Sequence, residues 1–208
     1  MSDFPEPSVA WHQPDDSAQP LVVLLHGRGA DESTIIGLAE HLPAGLSYVA
    51  VRAPIAEGGG YAWFANRGIG RPVAESLAAT IAWFHTWLDE VAPPGRPVVL
   101  IGFSGGAAFA GGVLLDDPTR LAGAAILKGT LPFDAGVPTD VGRLAGVPVF
   151  VAHSDADQVI PLDLQQRTWI YLHGDSGAVT TSQRDAGGHG VFAENVTALS
   201  DWLTQTLP

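Results

Sequence analysis

The sequence predicts an α/β protein with a mostly parallel central sheet and helices on both faces. Three observations predict it. Short, uninterrupted apolar runs recur at 21–25, 98–101, 124–127 and 149–152, and runs without in–out alternation suit strands buried on both faces. Segments of helical spacing lie between them, as with Leu77, Ile81, Phe84 and Leu88. The two kinds of segment alternate along the chain, which is the pattern of repeated strand–helix–strand crossovers.

The elements follow in order. Residues 1–19 are rich in Pro, Asp and Ser and predict a loosely ordered arm, with at most one edge strand. The strand at 21–25 ends in His26-Gly27-Arg28-Gly29. Ser33 is expected to cap a helix carrying Ile35, Ile36, Leu38 and Leu42, stopped by Pro43 and Gly45. Residues 48–51 read as the next strand. Residues 55–72 hold three consecutive glycines, then Tyr61, Trp63 and Phe64, and read as an aromatic loop. A helix spans 73–91 and stops before Pro93-Pro94. After the strand at 98–101 comes a helix of small residues running toward Leu115. The strands at 124–127 and 149–152 precede a helix over 162–172, a strand over 179–183 and a closing helix over 191–207. No linker or repeat divides the chain, so residues 1–208 are expected to form one domain.

Composition narrows the function. Hydrophobic residues make up 46% and charged residues 15%, far from the composition of disordered chains. The net charge of −12 repels phosphate backbones and argues against nucleic acid and against docking on anionic lipid. The absence of cysteine excludes a disulfide scaffold, a thiolate metal site and a cysteine nucleophile. No apolar run reaches membrane-spanning length, and the first residues lack a basic stretch followed by an apolar one. A soluble, cytoplasmic protein without stable membrane insertion is expected.

The strongest local signal is Gly102-Phe103-Ser104-Gly105-Gly106, a G-x-S-x-G pattern between an apolar strand and a helix. A serine on so sharp a turn projects above the sheet edge, and the residues flanking it must be small because backbone approaches closely there. A serine hydroxyl needs a base, and the base needs a third group to fix its tautomer. In this architecture the order along the chain is Ser, then Asp or Glu, then His. The loop after the strand at 149–152 supplies two acids, Asp155 and Asp157, of which Asp157 is favoured because it stands just before Val159-Ile160-Pro161. Gly187-Gly188-His189-Gly190 then supplies a histidine on a flexible loop. A tetrahedral intermediate also needs two N–H donors. Gly105 and Arg28 are the expected backbone donors, the latter in the turn after the first buried strand.

Together, Leu25-His26-Gly27-Arg28-Gly29-Ala30-Asp31-Glu32, Gly102 to Gly106, His153 to Pro161 and Gly187 to Gly190 resemble the phospholipase/carboxylesterase family, which includes the acyl-protein thioesterases. The resemblance covers residues from about 20 to 207. It implies an α/β-hydrolase fold with little or no lid. It also implies Ser104, Asp157 and His189 as the triad, with Arg28 and Gly105 as oxyanion donors. Trp63 and Phe64 are similar to that family's Trp-Phe segment near the acyl pocket. Three positions depart from the family pattern: Gly105 where Gln is frequent, Arg28 where Leu is common, and Lys128 where Ser often stands.

The expected activity is hydrolysis of a small-molecule ester or thioester through an acyl-enzyme, with no cofactor and no metal. Two alternatives belong to other classes. One is a metal-dependent hydrolase using His26, His153, Asp155, Asp157 and His189, although these lack ligand spacing. The other is a non-catalytic binding protein on the same scaffold. A homodimer is left open, with Trp83 and Trp87 as candidates for its face, although helix-core packing is the more natural use of both.

Overall fold

In a computed structural model, which describes residues 4–207, the apolar runs become strands buried on both faces. Every residue of β2 (Leu21–Leu25), β3 (Ser47–Val51) and β7 (Gly123–Leu127) is buried, as are nearly all of β6 (Val98–Phe103) and β8 (Pro148–Ser154). With β1 (Val9–Trp11) and β9 (Val179–Asp185) they form one seven-stranded sheet in the order β1-β3-β2-β6-β7-β8-β9. All neighbours are parallel except β1, which runs antiparallel to β3. The edge strand β9 is mostly exposed and reads Val-Thr-Thr-Ser-Gln-Arg-Asp, polar enough to discourage pairing with another chain.

Alternate residues of each strand feed two cores. Val23 and Leu25 face a layer of α2 (Ala74–Val91), α3 (Gly105–Asp116) and α4 (Leu162–His173). Val22 and Leu24 face α5 (Ala193–Thr206) and a 3₁₀ segment, Ile36–His41. The fold is thus the expected one, with helices on both faces of a mostly parallel sheet. Among the described residues no helix is long and apolar enough to cross a membrane.

Several expectations are corrected. From Phe4 onward the N-terminal arm is tied down, while residues 1–3 lie outside the described residues. Phe4 meets Trp83 edge-on, Trp83 Nε1 donates to the Pro5 carbonyl at 2.7 Å, and Arg96 donates to Asp15 at 2.7 Å and to the Gln19 carbonyl at 2.9 Å. The arm shows no periodicity because isolated side chains, not a continuous face, anchor it. The first helix is capped by Asp31 rather than Ser33: its Oδ1 accepts from the Ser33 and Thr34 amides. That helix, α1 (Glu32–Ile35), lasts only four residues before tightening into the 3₁₀ segment. Within the aromatic loop, Gly58 and Gly59, both at positive φ, turn a hairpin of β4 (Ile55–Glu57) and β5 (Gly60–Ala62). Trp83 and Trp87 are buried and pack the core, the use that their helical spacing favoured.

The N-terminus of α3 comes very close to the sheet. A Cβ added to Gly106 would stand 2.2 Å from the Leu25 carbonyl oxygen, and one on Gly102 would stand 2.2 Å from the Gly106 oxygen. Both obstacles are backbone and cannot swing aside. Gly106→Ala is therefore expected to destabilise the protein by about 4 kcal/mol or more, read in urea unfolding. Gly37→Ala, which meets nothing within 4 Å, should change stability by less than about 1 kcal/mol.

Candidate active site

Ser104 joins β6 to α3 and sits at φ 54°, ψ −113°, a backbone conformation that costs a non-glycine residue about 1–3 kcal/mol. Neighbours on both sides hold it there. Its N–H donates to the Leu127 carbonyl at 2.9 Å, and its own carbonyl accepts from the Ala107 and Ala108 amides. The side chain is thereby raised above the C-terminal rim of the sheet.

His189 reaches it from the loop between β9 and α5. His189 Nε2 lies 2.9 Å from Ser104 Oγ, and Nδ1 lies 2.8 Å from Asp157 Oδ2. An ionised carboxylate only accepts, so Nδ1 carries the proton, and Nε2 of the neutral ring is left to accept from the serine hydroxyl. Asp157 is almost fully buried, on the loop after β8. Its other oxygen, Oδ1, accepts from the Val159 amide at 2.8 Å and the Ile160 amide at 3.0 Å. Burial opposes its ionisation, yet the hydrogen bonds from His189 and the two amides prevail and hold its carboxyl below the usual carboxylate value. Asp155, the other acid candidate, points outward and pairs with the exposed Arg184.

Arg28 and Gly105 are brought side by side. A methyl group on Gly105 would come within 3.2 Å of the Arg28 nitrogen, and neither residue's N–H has an acceptor among the described residues. The Arg28 side chain is turned to a different task. Its guanidinium pairs with Glu57 on the β4–β5 hairpin and donates to the Phe64 carbonyl at 3.2 Å, fastening the hairpin to the turn.

Ser104 and His189 open onto a cleft of about 330 Å³ whose walls include Phe64, Ile69, Leu131, Val159 and Ile160. Trp63 also borders it but is 2% exposed. Its ring stacks on Phe109 with centroids 4.5 Å apart, and its Nε1 donates to the His26 carbonyl at 2.8 Å. Trp63 thus supports the wall more than it forms the surface. A second, more open trough of about 630 Å³ meets the same serine and histidine from the other side, against Ile35, Leu38, Phe103, Val191 and Val196. The roles of Ile69, Val159 and Ile160 in the first cleft are not legible in the sequence. Their one signal is an apolar residue in a loop, which is not specific.

The residues named for a metal site do not converge. His26 bonds the Gly27 carbonyl and the Ala53 amide, His153 is buried beside Trp169, and Asp155 faces Arg184. Among the described residues no three His, Asp or Glu side chains are grouped to hold an ion. Another polar cluster, Lys128 with Ser154, Asp185 and Asn195, lies buried beneath the loops that carry Asp157 and His189. The sequence signals only that Lys128 is unusual.

A mostly parallel sheet bearing a serine on a strained strand-to-helix turn, with His and Asp on later loops of the same rim, defines an α/β-hydrolase. The chain belongs to the phospholipase/carboxylesterase family, whose sequence profile matches residues 7–207, and it is a hydrolase of the carboxylesterase/thioesterase type. It is 24% identical to the putative hydrolase MhqD of Bacillus subtilis over 192 residues, covering 90% of this chain and 94% of that one. It is 31% identical to acyl-protein thioesterase 1 of Neurospora crassa over 134 residues, which are 61% of this chain and 54% of that one. The fold superposes on the Bacillus cereus carboxylesterase with a TM-score of 0.84 at 24% identity, over 96% and 94% of the two chains.

His153, at the end of β8, gives a pH prediction. Burial pushes its imidazole down to about 4 from its ordinary 6.5, and its Nε2 has no partner among the described residues. The folded state keeps it neutral while the unfolded chain takes up the proton below about pH 6.5. Its contribution is therefore complete above pH 6.5 and is lost as pH falls toward 4, by up to about 3 kcal/mol. Urea unfolding at stepped pH should show this slope, and His153→Phe should flatten it. Part of the slope should persist, because burial also lowers His26.

Proposed function

We propose that this chain is a serine hydrolase that cleaves small carboxylic esters or thioesters through an acyl-enzyme intermediate. Ser104 is the nucleophile, His189 the general base and Asp157 the group that orients the base. The observation that carries this reading is the unbroken hydrogen-bonded chain Asp157–His189–Ser104 at the mouth of an apolar cleft.

Ser104 Oγ attacks the carbonyl carbon as His189 Nε2 takes the hydroxyl proton. The negative charge moves to the carbonyl oxygen, where the free N–H groups of Arg28 and Gly105 receive it. Collapse of the intermediate expels the alcohol or thiol, which takes the proton from His189. Water then repeats the sequence to release the acid and restore Ser104. Asp157 stays ionised throughout and holds the imidazole in its working tautomer. Apolar walls on both sides of Ser104 favour a substrate whose acyl and leaving groups are both apolar. The curated relatives named as hydrolase and thioesterase support the same class.

Hydrolysis of p-nitrophenyl esters from acetyl to dodecanoyl provides the test. The wild type is expected to turn over short and medium acyl chains. Ser104→Ala should lower kcat by roughly 10³-fold or more. Equal activity in the two proteins would show that Ser104 is not the nucleophile. Inactivity of both, with no labelling by a fluorophosphonate, would favour the binding-protein alternative.

A further inference from the structure

Lys128 ends β7 at the catalytic rim in a left-handed conformation, φ 49°. Its side chain is 0% exposed and pairs with the Asp185 carboxylate, itself 1% exposed. No step of the mechanism above uses either group. A buried ion pair is a poor source of stability, because the desolvation of two charges offsets most of their attraction. Its presence at the rim therefore calls for another account, and its contacts supply one.

Four donors converge on the Asp185 carboxylate. Oδ1 accepts from Ser154 Oγ at 2.7 Å and from the Gly187 amide at 2.8 Å, while Oδ2 accepts from Lys128 Nζ and from Asn195 Nδ2 at 2.9 Å. Each donor lies on a segment that carries part of the site. Lys128 follows Leu127, whose carbonyl holds the Ser104 amide, and its own N–H donates to the Ala152 carbonyl in β8. Ser154 opens the loop that bears Asp157. Gly187 is two residues from His189. Asn195 lies in the first turn of α5, where its Oδ1 accepts the Phe192 amide at 2.8 Å. The stretch between Asp185 and Asn195 is thus a loop pinned at both ends by one carboxylate, with His189 in its middle. Backbone bonds from the Asp155 amide to the Asp185 carbonyl (2.8 Å) and from the Ala156 amide to the Gly187 carbonyl (3.0 Å) fasten the acid loop to the base loop.

Burial opposes ionisation of Asp185, but hydrogen bonds from Lys128, Asn195, Ser154 and the Gly187 amide overcome it and hold the carboxyl well below the usual range. We infer that the Lys128–Asp185 pair is a positioning device: by holding an acceptor oxygen against the Gly187 N–H, it sets the distance of His189 from Ser104 and Asp157. The inference rests on the triad reading above. Misplacement of a base by a fraction of an ångström lowers turnover far more than binding, so the effect belongs in kcat.

Two double variants test it, both removing the ion pair without leaving a lone buried charge. Lys128→Met with Asp185→Leu removes the acceptor for the Gly187 amide. Lys128→Met with Asp185→Asn keeps a neutral oxygen there. The first is expected to lose at least 30-fold in kcat for a p-nitrophenyl ester with KM within twofold, and the second to recover most of that loss. Leu88→Ala, in the core at the far end of α2, serves as a destabilised control and should keep its kcat well below its Tm. Wild-type kcat in the Leu variant, or equal losses in both, would overturn the inference. Amide exchange on the wild type decides the matter if the variants do not fold. The Gly187 amide should exchange much more slowly than that of Gly188, and equal rates would overturn the proposal. Hydrolysis by the wild type and its loss in Ser104→Ala are read separately, so failure of the triad reading is not mistaken for failure of this one.

Discussion

The close approach of α3 to the ends of β2 and β6 is the constraint on which the rest of the rim depends. Leu25 and His26 present their carbonyl oxygens where any side chain at position 106 would lie, and Gly129 is pressed against Ala107 and the Ser104 carbonyl. Because α3 starts so near the sheet, the turn into it has no room for relaxed geometry, and Ser104 is held at positive φ. The same proximity puts the Arg28 and Gly105 amides next to each other. A helix one side chain further away would relax the serine and separate the two donors.

Around that fixed point the loops that carry Asp157 and His189 are held by polar contacts more than by packing. Asp157 is set by two amides that turn one oxygen away from His189 and the other toward it. Phe103 lies against the His189 ring with centroids 5.2 Å apart, giving the imidazole one apolar neighbour. Loops cannot bury continuous apolar faces, so their placement falls to hydrogen bonds that must be satisfied wherever water is excluded. The cluster beneath His189 is the densest example.

The loop after the hairpin supplies one wall of the cleft through Phe64 and Ile69, facing Leu131, Val159 and Ile160. Arg28 and Glu57 connect the hairpin to the turn after β2, so hairpin and turn are mechanically one unit. Arg52, which bonds Glu32 twice at 2.6 Å and lies over the Tyr61 ring, reinforces the same junction from the β3 side.

The sequence by itself determined the sheet, its mostly parallel sense and the identity of the residues at its rim. Fully apolar runs such as 21–25 and 98–101 suit strands buried between helix layers. A serine set among glycines between a strand and a helix marks a turn too tight for larger neighbours, and so a hydroxyl raised above the sheet. Even the place of Trp63 was half legible, since the residue reaches the cleft, although its ring belongs to the core. The sequence favoured Asp157 over Asp155 as the acid that meets His189, whereas tertiary structure alone decided that Asp31 and not Ser33 caps the first helix and that the N-terminal arm is anchored. Tertiary structure also decided that Lys128 is buried against Asp185, a partner 57 residues away. The reason is physical. Periodicity records the average environment of a segment, whereas the fate of one charged side chain depends on which distant groups surround it, and those are fixed only when the strands are side by side.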